Sequence, residues 1–178
     1  MKLTIPNVLT LIRLIFSPLV LPLLIITFLP LNQVWIHALL SALFIFFGLT
    51  DFLDGMLARR WNQTSQFGRI ADPIADKFLT CSTLIALLAI HRINAIWVLI
   101  LVGRELWVMG LREAALEHNI SVPVSWWGKL KTFALMAYLA LVIAYPQVTI
   151  LEVALLALTL SLSLWSAVQY QRSVLRQF

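Results

Sequence analysis

The stretch DFLDGMLARRWNQTSQFGRIADPIAD, Asp51–Asp76, decides how the chain is read. Asp51, Asp54, Asp72 and Asp76 are four of the 8 acidic residues in the chain. One long apolar run ends at the first pair and another begins at the second. A carboxylate at the margin of hydrocarbon is costly, so it faces a bundle interior or a wet cavity and has a partner there. Four carboxylates at close range do not all ionise without cations between them. The stretch therefore reads as a divalent-metal site at a membrane surface, and its hard oxygen donors favour Mg²⁺, Mn²⁺ or Ca²⁺.

The spacing supports that reading. Asp51 and Asp54, three apart, share a helix face, with Ala58 and Arg59 just beyond. Asp72 and Asp76, four apart, share a face of the next helix. Two antiparallel helices joined by a short loop bring the pairs together. Gly55 and Gly68 flank the loop side, where a ligand approaches backbone closely. Each residue also has a plain structural reading. Asp72 before Pro73 matches an N-cap with Pro at the first helical position, Gly55 a helix C-cap, and Arg59 with Arg60 topology charges. Four Asp and two Gly in this order outweigh those separate readings.

Working outward, 61% of the 178 residues are hydrophobic and only 12% are charged. Mean hydropathy is +0.93. A soluble domain carries about 25% charged residues. The expected fold is all-α and polytopic, one integral-membrane domain over 1–178. The single Cys81 excludes a disulfide within the chain and reads as a small packing residue. The net charge of +5 would suit nucleic acid, but there is no soluble basic domain to bind it. Cytoplasmic loops and contact with anionic lipid or phosphate account for it better.

Six spans are expected. The first, Asn7–Phe28, follows Lys2 and resembles a signal peptide, but its apolar run is too long and no small-residue cleavage site follows. Pro18 and Pro22 bend it. Arg13 lies about two turns inside, either snorkelling or turned inward toward an anion. Span two is Val34–Asp54, with Trp35 and His37 read as interfacial. The polar loop Arg59–Arg69 follows, and its Ser65 either donates to a phosphate or makes a simple turn. Span three is Pro73–Ile90, where Lys77 pairs with the Asp cluster or snorkels. His91, Arg92 and Asn94 form a short outer turn.

Span four starts near Ala95 and carries Arg104, Glu105 and Arg112. Arg104 and Arg112, eight apart, return to nearly one face and read as an anion-binding stripe or as helix-end snorkelling plus an internal ion pair with another span. Arg104 and Glu105 are adjacent, so they are not expected to share a face. Lys129 and Lys131 follow Trp126, Trp127 and Gly128 at the start of span five, Lys129–Tyr145. They bind phosphate as point charges or flank the span as inside charges. Span six is Thr149–Tyr170, with Glu152 read as interfacial. Nearly all Lys and Arg fall at the N-terminus, in loops 2–3 and 4–5, and in the tail, which puts both termini in the cytoplasm. The acidic stretch and the basic groups then share the cytoplasmic half.

The central stretch reads D-x2-D-G-x2-A-R-x8-G-x3-D-x3-D, from Asp51 through Asp54, Gly55, Ala58, Arg59, Gly68 and Asp72 to Asp76. It resembles the signature of the CDP-alcohol phosphotransferase family, with no departure at its eight fixed positions. That resemblance implies transfer of a phosphatidyl group from CDP-diacylglycerol, or a related CDP-linked donor, to an alcohol with release of CMP. It implies that Asp51, Asp54, Asp72 and Asp76 hold one or two Mg²⁺ or Mn²⁺ ions, and that Asp76 is the general base. Gly55, Ala58, Arg59, Ser65 and Gly68 are implied to contact the CDP moiety. The opening I-P-N-x-L-T-x-x-R (Ile5–Arg13), the G-R-E and L-R-E segments (Gly103–Glu105, Leu111–Glu113) and S-W-W-G-K-x-K-T (Ser125–Thr132) look like the family branch whose acceptor is sn-glycerol 3-phosphate. Arg112, Lys129 and Lys131 are then the implied acceptor-phosphate ligands, with Arg104 and Glu105 nearby and Asn7 and Arg13 in support. The likeness also implies a homodimer in the bacterial inner membrane.

Two other classes are weighed against this one. A small divalent-cation transporter would place ionisable groups near the midplane on broken helices, often in repeated halves, and none of that is visible. A structural membrane subunit has no use for four Asp. Inositol phosphate also demands a basic acceptor pocket, whereas serine or choline needs less positive charge.

Overall fold

The apolar runs fold as helices separated by short polar turns. A computed structural model describes residues 19–60, 66–118, 120 and 125–177, and the side chains of 51–60 and 66–76 lie outside that description. Helix α1 (Leu21–Phe28) runs into a 3₁₀ turn (Leu29–Leu31). Then come α2 (Val34–Arg60), α3 (Gln66–Ala89), α4 (Ala95–Glu117), α5 (Trp126–Ala144) and α6 (Ile150–Leu175). No strand occurs among the described residues.

The turns have identifiable chemistry. Asn32 takes the left-handed conformation, φ 54°, that its short amide side chain tolerates. His91 does the same, φ 56°, without being glycine. Around it Arg92 N donates to Leu87 O at 2.8 Å and His91 N to Leu88 O at 2.9 Å, the paired bonds of a Schellman end to α3. Asn94 then caps α4 by accepting from Ile96 N at 2.9 Å. Thr149 caps α6 by accepting from Glu152 N at 3.1 Å.

Two compact units form. Unit 1 is Met1–Ile93 with Leu139–Gln147. In it α1 packs on α2 and α3, and α2 packs on α3. Leu21, Ile25, Phe44, Leu79, Leu84, Leu87, Val142 and Ile143 make its core. Unit 2 is Asn94–Tyr138 with Val148–Phe178, and in it α4 packs on α6. Val98, Leu101 and Glu105 recur on the buried face of α4 at helical spacing. The buried face of α6 holds Thr159, Ser163 and Ser166, while Ile150, Leu151, Leu164 and Trp165 point outward. Small hydroxyl residues inside and large apolar ones outside is the arrangement of a helix solvated by hydrocarbon.

Several expectations change. Helix α2 continues to Arg60, so Gly55 is not a C-cap. Helix α3 starts at Gln66, so Asp72 is not an N-cap and Pro73 lies inside the helix. Asp-Pro is a strong start signal, but packing of a long apolar helix overrides a local break that costs about 3 kcal/mol. The α2–α3 connection shrinks accordingly. His37 and Glu152 are both buried rather than exposed at the surface. Of the six expected spans, α5 and α6 are long and apolar enough to cross a membrane among the described residues. The apolar stretches Leu21–Leu31, Val34–Thr50 and Lys77–Ala89 are shorter. Cys81 is half-buried and free of disulfide.

Candidate functional site

In unit 2, the inward face of α4 ends its apolar run with a carboxylate, Glu105, which is 5% exposed. Such a group needs cations, and among the described residues it meets two. Arg104 Nη1 donates to Glu105 Oε1 at 2.6 Å. Lys131 Nζ, from α5, donates to the same oxygen. Arg104 is further held from α6. Its Nε donates to the Ser163 carbonyl at 2.9 Å, and its Nη2 donates to Ser166 Oγ at 2.5 Å. Ser166 Oγ donates in turn to the Ser163 carbonyl at 3.1 Å. Three helices thus converge on a buried ion triad in which two cations share one carboxylate oxygen.

This corrects the expectation that neighbours Arg104 and Glu105 face apart. The rule concerns Cα directions, and the long guanidinium stem carries its head back across the helix. The ion pair that reaches another helix is formed by Glu105 with Lys131, whereas Arg104 pairs within its own helix. The two lysines separate. Lys129 and Lys131, two apart on α5, fall on different faces, the first exposed and the second buried. Arg112 is exposed on the last turns of α4. Ser125 caps α5, its hydroxyl accepting from Gly128 N at 3.3 Å, so the S-W-W-G run is the first turn of a helix. Trp126 and Trp127 are exposed there.

The sequence reading missed Ser163 and Ser166. Their signal was the spacing of Thr159, Ser163 and Ser166 within an apolar run, four and three apart, which marks one face of a helix.

In unit 1, the backbone is helical at Asp51, Asp54, Gly55, Ala58 and Arg59 on α2, and at Gly68, Asp72 and Asp76 on α3. Helical register keeps each Asp pair on one face of its helix, and the two helices pack together. The side chains of these eight residues lie outside the described set, as do Asn7, Arg13 and Ser65 altogether. Four carboxylates on two packed helices are a hard-oxygen donor set, which fits Mg²⁺ or Mn²⁺ and not a soft metal. Lys77, one residue on from Asp76, is half-buried.

Comparison with known proteins bears on both units. The profile of the CDP-alcohol phosphatidyltransferase family matches residues 3–165. CDP-diacylglycerol–glycerol-3-phosphate 3-phosphatidyltransferases from Salmonella choleraesuis (strain SC-B67) and Escherichia coli (strain K12) are each 36% identical to this chain. The alignments cover 96% of the chain and 94% of each relative. The enzyme of that name from Shigella flexneri aligns with the same identity and coverage.

Proposed function

The chain belongs to the CDP-alcohol phosphatidyltransferase family, and from that premise we propose that it transfers the phosphatidyl group of CDP-diacylglycerol to sn-glycerol 3-phosphate, giving phosphatidylglycerophosphate and CMP. The observation that carries this reading is the unbroken eight-position motif, Asp51 to Asp76, inside a near full-length likeness to enzymes named for that reaction.

Asp51, Asp54, Asp72 and Asp76 would hold one or two Mg²⁺ or Mn²⁺ ions. Such ions neutralise pyrophosphate oxygens and the departing phosphate. Gly55, Ala58, Arg59, Ser65 and Gly68 hold the CDP moiety, small residues admitting it and Arg59 supplying charge. The acceptor hydroxyl gives its proton to Asp76 as its oxygen bonds to the phosphatidyl phosphorus. The pyrophosphate P–O bond breaks, and CMP leaves with the electron pair. Arg112, Lys129 and Lys131 bind the acceptor's own phosphate, with Arg104 and Glu105 beside them and Asn7 and Arg13 supporting from the first span. A cationic pocket discriminates for a phosphorylated alcohol and against serine or choline.

The family works on lipid, and the apolar α5 and α6 suit a membrane-embedded enzyme. Six spans in the bacterial inner membrane, a cytoplasm-facing site and a homodimer complete the proposal. The positive-inside distribution of Lys and Arg supports that orientation.

The test is CMP release by the purified chain in detergent, with CDP-diacylglycerol, Mg²⁺ and a panel of acceptors. Release with sn-glycerol 3-phosphate alone is expected. Release only with inositol phosphate, serine or another alcohol would keep the donor chemistry and overturn the acceptor.

A further inference from the structure

Arg104 is held on every side by its own chain. All three of its nitrogens are engaged by the chain itself: Nε by the Ser163 carbonyl, Nη1 by Glu105 and Nη2 by Ser166. Its side chain is 8% exposed. A guanidinium is a rigid planar fork, so fixing two of its edges fixes the third. The third edge here is the one that holds Glu105, and the Glu105 oxygen it holds is the one that Lys131 also meets. Orientation therefore passes in order from α6 to α4 to α5.

Ser166 sits at the head of that order. Its own proton is directed to the Ser163 carbonyl, which leaves an oxygen lone pair for Nη2. The Ser163 carbonyl accepts from both Ser166 and Arg104, so the three groups close a small ring of hydrogen bonds. Ser166 is 3% exposed, and its hydroxyl meets Arg104 and the Ser163 carbonyl. It also lies one residue beyond the matched family stretch.

We propose that Ser166 is a positioning residue for the acceptor site: it locks Arg104, Arg104 locks Glu105, and Glu105 aims the Lys131 ammonium at the acceptor's phosphate. The proposal rests on the reading of Lys131 as an acceptor-phosphate ligand.

The experiment measures KM for sn-glycerol 3-phosphate and for CDP-diacylglycerol, with kcat, on the full-length protein in detergent. The variants are Ser166→Ala, Arg104→Lys, the double variant and Lys131→Met. Ala is a strong helix former and smaller than Ser, so the Ser166 variant keeps α6 intact. Losing a hydrogen bond to a charged group predicts a rise of about tenfold in acceptor KM for Ser166→Ala. Donor KM stays within about twofold, the signature of a binding defect confined to one substrate. In the Arg104→Lys background the fork is gone, so Ser166→Ala shifts acceptor KM by less than about twofold. An unchanged acceptor KM, an equal rise in both KM values, or full additivity in the double variant would overturn the proposal. Lys131→Met separates the two levels. If it raises acceptor KM while Ser166→Ala does not, the positioning role alone fails. If neither variant raises it, the acceptor-pocket reading fails with it.

Discussion

Among the described residues of unit 1, His37, Ser41 and Arg92 reach backbone carbonyls, whereas in unit 2 Arg104, Glu105, Lys131 and Ser166 also reach one another. His37 Nδ1 donates to the Ile143 carbonyl at 2.7 Å, and Ser41 donates to the Ala140 carbonyl at 2.9 Å. Arg92 donates to the Tyr145 and Gln147 carbonyls at 3.0 and 3.4 Å. These contacts gather around the C-terminal end of α5, which carries partial negative charge. Unit 2 instead closes Arg104, Glu105, Lys131 and Ser166 into one charged network. The difference lies in coupling. A side chain on a carbonyl is a local contact whose loss costs that one contact. A charged network fails together, because removing one member leaves another buried and uncompensated.

The largest expected effect tests whether unit 1 separates chemistry from folding. Asp51→Ala or Asp72→Ala lowers CMP release at least about a thousandfold, the scale seen when a member of a catalytic unit is removed. Removing divalent ions with a chelator does the same, reversed by adding Mg²⁺. Neither variant lowers the thermal unfolding midpoint in detergent, since each relieves repulsion among carboxylates. Near-normal turnover in both variants would remove the metal-site reading.

Next comes the triad, where charge counting ranks two substitutions. Glu105→Gln removes the carboxylate that Arg104 and Lys131 share, and costs about 3–5 kcal/mol. Lys131→Met leaves a balanced Arg104–Glu105 pair and fills similar volume, so it costs less, about 1 kcal/mol. Both raise acceptor KM. Equal destabilisation by the two would mean that the unit 2 network is not coupled through Glu105. Denaturant titration in detergent reads the difference.

Much of this was legible in the sequence, and the failures have physical causes. The acidic motif, the helical class and the basic groups of α4 and α5 follow from spacing and composition, which act at short range. The separation of Lys129 from Lys131 follows from spacing alone, because two residues along a helix nearly reverse direction. Glu105 was legible as a charge in an apolar run, but not its partners, which arrive from two other helices. Ser163 and Ser166 were hidden because serine in a membrane-type helix ordinarily satisfies its own preceding turn, as Ser161 does with the Ala157 carbonyl at 2.8 Å. The extension of α3 back through Pro73 to Gln66 was concealed by the strongest local start signal in the chain.

The smallest effects sharpen the picture of unit 1. Ile143 lies in the last turn of α5, and the residue four ahead of it, Gln147, is outside the helix. Its carbonyl therefore depends on His37, whose Nδ1 must carry the hydrogen because a carbonyl only accepts. His37 is 3% exposed, so no water replaces the bond if it is lost. His37→Phe keeps the ring volume and orphans that carbonyl, costing about 1–3 kcal/mol. Ala140 lies one turn further in, where the N–H of Ala144 already serves its carbonyl. Ser41→Ala then removes a second bond to a satisfied acceptor and costs only about 0.5 kcal/mol. Both leave acceptor KM unchanged, unlike any substitution in the triad. If Ser41→Ala destabilises as much as His37→Phe in thermal unfolding, helix-end depletion is not what orders the contacts of unit 1.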